Sequence, residues 1–247
     1  MMRFVGLPGS PWSERAQWAL DHHRLPYEYT AYIPILGEPA LRLLARRPFG
    51  AIAPPALRGR AQTVLESFNI ALHAERSGGG PRLVPDIEAV IRWNKLSDRM
   101  ITAGEVIARR QIAASDRALL EAMPQGMPGS VSQALLPAAR KRAHAVAGRD
   151  GLTARMADVA ETALRGALEE LRRGLGESGH LIGAKFTYGD IAMATALHVI
   201  QPVSDARLPL GPATRECFTV PKLAQEFEEL LNWRDGIYER HRYLSDS

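Results

Sequence analysis

The sequence predicts a small α/β domain followed by a larger all-helical domain, and three observations support this fold class. Short β-rich runs alternate with helical patterns only in residues 1–76. The segment 77–85 opens with "SGGGP", and three consecutive glycines sustain neither a helix nor a strand. From residue 86 to residue 247, almost every apolar pattern has helical spacing. We therefore expect two domains, 1–76 and 86–247, joined by a linker at 77–85.

The first domain has the predicted order β-α-β-α-β-β-α. "MRFVGL" and "LPYEYTAYI" are typical of strands, and a helix is expected between them, where Pro11 suits a helix start. "GEPALRLLARRP" predicts a second helix that ends at Pro48, because proline cannot continue a helix. "PPALRGRAQTVL" predicts two short strands about a turn at Gly59, and "ESFNIALHAERS" predicts a third helix.

The second domain is predicted to contain helices separated by short breaks. A long helix, bent near Gly104, is expected in "DIEAVIRWNKLSDRMITAGEVIARRQIAA", and "PQGMPGS" breaks the chain after it. Further helices are predicted in "VSQALLPAARKRAHAVAG", "LTARMADVAETALRGALEELRRGLGES", "YGDIAMATALHVI" and "PKLAQEFEELLNWRDGIYERHR". Thr187 and Asp190 have the spacing of a capping box, so Asp190 is expected to be structural and not catalytic.

Composition excludes several classes of function. Hydrophobic residues make up 46% and charged residues 23%, as in globular proteins, and no run of about 18 apolar residues predicts a membrane span. The first residues lack the features of a signal peptide, so a cytoplasmic protein is expected. The net charge of +4 is modest, and the basic strip "PAARKRAHAVAGR" lacks interleaved aromatic residues, so no nucleic-acid partner is expected.

Metal and disulfide chemistry are also disfavoured. The single cysteine, Cys217, excludes an internal disulfide and a cysteine-based metal cluster. His22 and His23 are adjacent, so on a helix they point apart and do not share a metal ion. The sequence therefore predicts no metal site.

The stretch "SPWS", from Ser10 to Ser13, has the shape of the Cys-Pro-x-Cys loop of thiol-disulfide proteins, with hydroxyls at both sulfur positions. It is one of four features that occur in order, the others being "APPAL", "ESFNI" and "LIGAKFTYGDIAMA". Together they resemble the cytosolic glutathione transferase superfamily over essentially the whole chain. The resemblance implies a thioredoxin-like amino-terminal domain that binds glutathione as a co-substrate. It also implies a helical domain that binds a small-molecule electrophile and contributes to a homodimer.

The resemblance also assigns residues that would bind glutathione. Pro55 matches the family's cis-proline before the third strand, and Pro54 would pair its main chain with the cysteinyl unit. Because Pro54 has no N–H, it can accept a hydrogen bond from the ligand but cannot donate one. Glu66 and Ser67, at the start of the third helix, would take the ammonium and carboxylate of the γ-glutamyl group. Both residue types also cap helices, which leaves a structural interpretation open.

Weaker assignments concern the glycyl carboxylate of glutathione and the electrophile site. The family often has a basic residue before the third strand for the glycyl carboxylate, which would be Arg46 or Arg47 here, unless both are solvated helix-end charges. Trp12 would wall the electrophile pocket or pack at a domain interface. Trp93 and Ser97 lie on the long helix that lines the second substrate site in relatives.

The resemblance favours Ser10 as the residue that activates the glutathione thiol. "SPWSER" is similar to the "CPFAER" loop of the omega class, whose catalytic cysteine falls on Ser10, as does the serine of zeta- and tau-type members. A hydroxyl donor at a helix amino terminus lowers the pKa of a thiol. Ser13, or a main-chain N–H alone, are the alternatives. Thiol transfer is disfavoured, because Ser10 cannot form a mixed disulfide.

Three hypotheses about function follow. The first is a transferase that conjugates glutathione to a small hydrophobic electrophile. The second is a non-enzymatic binding or interaction protein that keeps the fold, a hypothesis motivated by Pro54. The third is a glutathione-dependent isomerase or dehalogenase that uses the same site.

Overall fold

A four-stranded sheet organises the amino-terminal part of the chain in a computed structural model, which describes residues 1–33, 37–123, 126–149 and 154–242. The elements of this part are β1 (Met2–Gly6), α1 (Pro11–His22), β2 (Tyr27–Ala31), α2 (Gly37–Ala45), β3 (Ala56–Arg58), β4 (Thr63–Leu65) and α3 (Ser67–Ser77). The strand order is β2-β1-β3-β4. β1 and β2 are parallel, and the other two pairings are antiparallel. The predicted order of elements is confirmed.

Alternation along the strands covers the sheet with helices on both faces. Phe4 and Leu57 point to one face, where they pack in a buried cluster with residues of α1 and α3. Their neighbours Val5 and Ala56 point to the other face and pack against Leu41 of α2. This is the arrangement that a period of two residues produces in a strand.

The segment after α3 that contains the three glycines is held closely by the end of α1. His22 Nε2 lies 2.9 Å from the carbonyl oxygen of Pro81, and His23 Nδ1 lies 2.7 Å from that of Gly79. The Gly79 N–H donates in return to the His23 carbonyl at 3.0 Å. The two adjacent histidines therefore fix the path of the chain as it leaves α3.

After the linker, the regular elements of the described residues are helices. The helices are α4 (Ile87–Ala114), α5 (Asp116–Glu121), α6 (Gly129–Arg149), α7 (Ala154–Gly174), α8 (Tyr188–Ala196), a 3₁₀ helix (Leu197–Val199), α9 (Pro212–Cys217), α10 (Pro221–Glu226) and α11 (Glu228–His241). α4 is continuous through Gly104. A Cβ at Gly104 would lie 2.2 Å from the Cβ of Val199, so glycine permits a close approach of these two segments.

The structure differs from the prediction in its short helices. α5 and α9, of six residues each, were not predicted. α9 begins where the N–H groups of Ala213 and Thr214 donate to the Glu121 carboxylate at 3.0 and 2.7 Å, a cap supplied from a distant part of the chain. The single helix predicted at the end is two helices, because Phe227 leaves helical geometry between α10 and α11 and is fully buried.

Contacts divide the chain into two compact units. One comprises Met1–Lys95, Leu175–Thr195 and Ile237–Ser247, and the other comprises Leu96–Gly174 and Ala196–Gly236. Residues 124–125 of the predicted break and 152–153 of the predicted helix lie outside the described residues. In the described ranges, no helix is both long enough and apolar enough to cross a membrane.

Candidate functional site

The register of the sheet brings three loops of the first unit to the same end. Val5 pairs with Ala56, which in turn pairs with Leu65. The loop after β1, the Pro54–Pro55 segment before β3 and the Glu66–Ser67 segment after β4 are therefore neighbours in space. The Pro54–Pro55 peptide bond is cis, as the sequence predicted. All the glutathione-site residues predicted above from the loops lie in these three segments, namely Ser10, Pro54, Pro55, Glu66 and Ser67.

The two serines of the "SPWS" stretch have different surroundings. Ser13 is 4% exposed, and its hydroxyl accepts a hydrogen bond from the Leu7 N–H at 2.9 Å, which holds the loop between β1 and α1. Ser10 is the N-cap residue of α1, but its side chain does not cap the helix. Among the described residues, the half-buried Ser10 hydroxyl has no hydrogen-bond partner. Of the two serine hydroxyls, only that of Ser10 is therefore available to hydrogen-bond a ligand.

α3 begins with a strained residue and an uncapped amino terminus. Glu66 has φ 69° and ψ 137°, a conformation that favours glycine, and its side chain makes no capping hydrogen bond. Instead the exposed Glu66 carboxylate accepts from Asn69 Nδ2 at 3.2 Å. The first N–H groups of a helix have no partner within the helix, so this end attracts a negatively charged group.

Replacing Glu66 by glycine is expected to raise the free energy of unfolding by about 1 kcal/mol, because backbone strain of about 1–3 kcal/mol exceeds the entropy cost of glycine. Chemical denaturation measures this change. Glu66→Ala is the matched control, because it also removes the carboxylate but keeps the strained backbone. If the glycine variant were no more stable than the alanine variant, the account of strain would be wrong.

A buried arginine joins α1 to α3, and the sequence analysis did not identify it. Arg15 is 2% exposed, and its Nε donates to Ser67 Oγ at 2.7 Å. The available signal was the helical spacing from Arg15 to the buried residues Trp18 and Ala19, which places all three on one face of α1. Ser67, itself buried, is therefore held by a side chain that lies 52 positions earlier in the chain.

A second arginine also fixes α1. Arg242 Nε donates to Glu14 Oε1 at 2.9 Å, and Arg242 Nη1 donates to Asp21 Oδ2 at 2.6 Å. Burial lowers the pKa of the Arg242 guanidinium, but the two carboxylates outweigh burial and raise it above its ordinary value. The Trp18 ring also donates, through Nε1, to the His241 carbonyl at 3.1 Å. The end of α11 therefore helps to set the position of the helix that carries Ser10.

Other predicted site residues are not brought together with Ser10 by described contacts. α2 ends near the opposite end of β4, where Thr63 Oγ1 donates to the Leu44 carbonyl at 2.9 Å. Arg46 and Arg47 follow, both exposed, and no described hydrogen bond or ion pair joins them to the other site residues. The remaining predicted residues are the half-buried Trp12 of α1, the buried Trp93 of α4 and the buried Ser97 of α4, which belongs to the second unit.

Metal ligands and a reactive thiol do not contribute to this arrangement. In the part of the chain that the structure describes, no group of three His, Cys, Asp or Glu residues is arranged to hold a metal ion. Cys217 lies in α9 of the second unit and is 6% exposed, and burial raises the pKa of its thiol. The sheet edge carries two helix amino termini, the hydroxyls of Ser10 and Ser67, and the Glu66 carboxylate, and the helix ends and hydroxyls supply hydrogen-bond donors. These donors bind anions and stabilise a thiolate.

Comparisons with known proteins identify the family of these two parts of the chain. A family model described as "Glutathione S-transferase, N-terminal domain" matches residues 9–77, and one described as "Glutathione S-transferase, C-terminal domain" matches residues 107–236. A search of curated proteins finds no match.

Solved structures with the same fold share little sequence with this chain. A glutathione S-transferase from Methylobacillus flagellatus KT, with glutathione bound, has 16% identity and a TM-score of 0.63, and the match covers 97% of this chain and 96% of that one. One from Methylobacterium radiotolerans JCM 2831, in complex with glutathione sulfonate, has 21% identity and a TM-score of 0.60, with 97% and 91% covered. The beta-etherase LigF from Sphingobium sp. strain SYK-6 has 17% identity and a TM-score of 0.58, with 88% and 98% covered.

The amino-terminal part with its sheet and the helical second part therefore match the two domain models of one family. The carboxy-terminal model alone matches more than half of the chain, and the amino-terminal model covers the segment that holds Ser10, Pro54 and Ser67. The chain belongs to the glutathione S-transferase family.

Proposed function

We propose that the protein binds glutathione at the shared end of β1, β3 and β4 and activates its thiol for attack on a small hydrophobic electrophile. The observation that carries this proposal is the register of the sheet, which brings the uncommitted Ser10 hydroxyl and the uncapped start of α3 to one edge. Two structures of the same fold hold glutathione or its sulfonate, which supports the choice of ligand.

Ser10 is the catalytic residue in this proposal. A free thiol has a pKa near about 8.5, so only a few per cent is ionised at neutral pH. The Ser10 hydroxyl donates a hydrogen bond to the sulfur, and the amino terminus of α1 adds its positive dipole end. The thiol proton passes to solvent, and the thiolate sulfur forms a bond to an electrophilic carbon. The carbon releases a leaving group or opens a ring.

The remaining site residues bind the peptide in this proposal. Pro54 accepts a hydrogen bond from the cysteinyl unit, and Pro55 fixes the main chain beside it. The Ser67 hydroxyl and the start of α3 bind the γ-glutamyl carboxylate, while the exposed Glu66 carboxylate takes the ammonium. In this proposal, Arg46 or Arg47 binds the glycyl carboxylate of glutathione.

The second substrate and the assembly are also proposed from the family. In this proposal, Trp12 and Trp93 contribute apolar surface to the electrophile site. Ser97, on the long helix, is proposed to line the same site. We further propose a cytoplasmic homodimer whose helical domain contributes contacts between the copies. Measuring the molar mass in solution tests the dimer directly.

Replacing Pro54 by valine is expected to tighten glutathione binding about fivefold, or about 1 kcal/mol, because valine restores a main-chain N–H that can donate to the ligand. The dissociation constant measured by calorimetry checks this. Pro48→Ala is the control, because it changes a proline in the exposed segment after α2 and should leave the affinity unchanged. Unchanged or weaker binding by Pro54→Val would contradict the pairing proposed for residue 54.

Two other functions remain in competition, and each has a specific test. The missing N–H at Pro54 favours a non-enzymatic binding protein, which failure to bind glutathione at millimolar concentration would support.

A beta-etherase shares the fold, so the fold alone does not determine the reaction. Product analysis separates conjugation, which consumes glutathione, from isomerisation, which returns it. We expect a conjugate from a panel of aryl halides, epoxides and enones.

A further inference from the structure

The contact between Arg15 and Ser67 has a fixed direction. A guanidinium has N–H donors and no acceptor, so the Ser67 oxygen must accept the 2.7 Å hydrogen bond from Arg15 Nε. A serine hydroxyl has a single hydrogen, and that hydrogen cannot point toward a donor. Arg15 therefore turns the Ser67 hydrogen away from α1.

The Ser67 hydrogen has no acceptor among the described residues, although Ser67 is only 3% exposed. Buried polar groups usually find a hydrogen-bond partner, and a buried donor without one costs free energy. The hydroxyl belongs to the first residue of α3, whose uncapped N–H groups point out of the same helix end. The helix end therefore presents the Ser67 hydrogen and the first N–H groups of α3 as donors.

We infer that Arg15 is a positioning residue that makes Ser67 an obligate donor and so selects a carboxylate at the start of α3. This inference rests on the proposed function, since it concerns the γ-glutamyl end of the same ligand. A carboxylate offers acceptors only, which matches the donors of Ser67 and α3, whereas a carboxamide brings N–H groups that face them. The buried positive charge of Arg15 adds to the preference for an anion.

The test compares two ligands, namely glutathione and its analogue with the α-carboxylate of the γ-glutamyl group converted to a carboxamide. The dissociation constants of both are measured by calorimetry for the wild-type protein and for Arg15→Met. We expect wild type to prefer glutathione by about tenfold or more, because charge-assisted hydrogen bonds are the stronger ones. In Arg15→Met the affinity for glutathione falls about tenfold while that for the carboxamide changes less than about threefold.

Further variants keep the test informative if Arg15→Met does not fold. Arg15→Lys keeps a cation and should retain part of the preference for glutathione, whereas Ser67→Ala should lose most of the preference. The double variant Arg15→Met with Ser67→Ala should lose less selectivity than the sum of the two single losses, because the two side chains act as one unit.

Distinct outcomes separate this inference from the proposed function. Parallel loss of affinity for both ligands in the Arg15 variants would indicate a merely structural arginine and overturn the inference. An unchanged preference would also overturn it, and in either case glutathione binding by wild type would leave the proposed function standing. Wild-type protein that binds neither ligand would overturn the proposed function and this inference together.

Discussion

Replacing Ser10 by alanine is expected to lower turnover with glutathione and an electrophile by about tenfold or more while the fold stays intact. The hydroxyl has no other hydrogen-bond partner among the described residues, so its loss removes only the donor to the sulfur. A rise of one unit in the thiol pKa reduces the thiolate about tenfold at neutral pH. The pH dependence of kcat/KM should therefore move to higher pH, and the deficit should shrink as the pH approaches 9.

Ser13→Ala is the matched control for that experiment. The Ser13 hydroxyl accepts from the Leu7 N–H, so its removal should lower stability and leave the apparent pKa of the thiol near the wild-type value. Wild-type turnover in Ser10→Ala, together with an unshifted pH profile, would remove Ser10 from the mechanism. A shifted profile in Ser13→Ala alone would assign the role to Ser13.

Replacing Asp190 by alanine is expected to lower the free energy of unfolding by about 3 kcal/mol or more. The fully buried carboxylate accepts from the Thr187 N–H at 2.7 Å, the Thr187 hydroxyl at 3.0 Å and the Leu181 N–H at 2.9 Å. Burial raises the pKa of Asp190, and these donors oppose the increase. Alanine would leave buried donors without an acceptor, and each such group costs about 1–3 kcal/mol.

Chemical denaturation at a fixed pH measures the effect as a shift of the midpoint. Asp116→Ala is the control, because the Asp116 carboxylate is about half exposed and pairs with Arg140 at the surface. Such pairs contribute less than about 1 kcal/mol. If both variants lost the same stability, the structural role of Asp190 would be contradicted. If folded Asp190→Ala bound glutathione as well as wild type, this would agree with a structural role for Asp190.

Local sequence signals were sufficient for the main elements of the first domain. Alternating apolar residues around Phe4 and Leu57 mark the buried strands, and the turn at Gly59 separates β3 from β4 through its hydrogen bond to the Gln62 carbonyl. The capping interaction of Asp190 with the Thr187 N–H was also predictable, because both partners lie within one turn. Such features depend on residues that are close in sequence.

Features that depend on distant residues were not predictable in the same way. The φ of Glu66 is positive although glutamate does not favour this conformation, because the strand before it and the helix after it fix the backbone. Arg15 finds its partner at Ser67, and α9 is capped by Glu121. Charged residues such as Arg15 also usually indicate an exposed position, so their burial becomes clear only when both helices are in place.

Thiol activation at the site is measured by calorimetric titration of glutathione into the purified protein, in two buffers of different ionisation heat near pH 7. The difference between the two heats counts the protons released on binding. We predict binding with net release of a proton, because the site lowers the thiol pKa and holds the thiolate beside Ser10. No binding at millimolar glutathione, or binding without proton release, would contradict it.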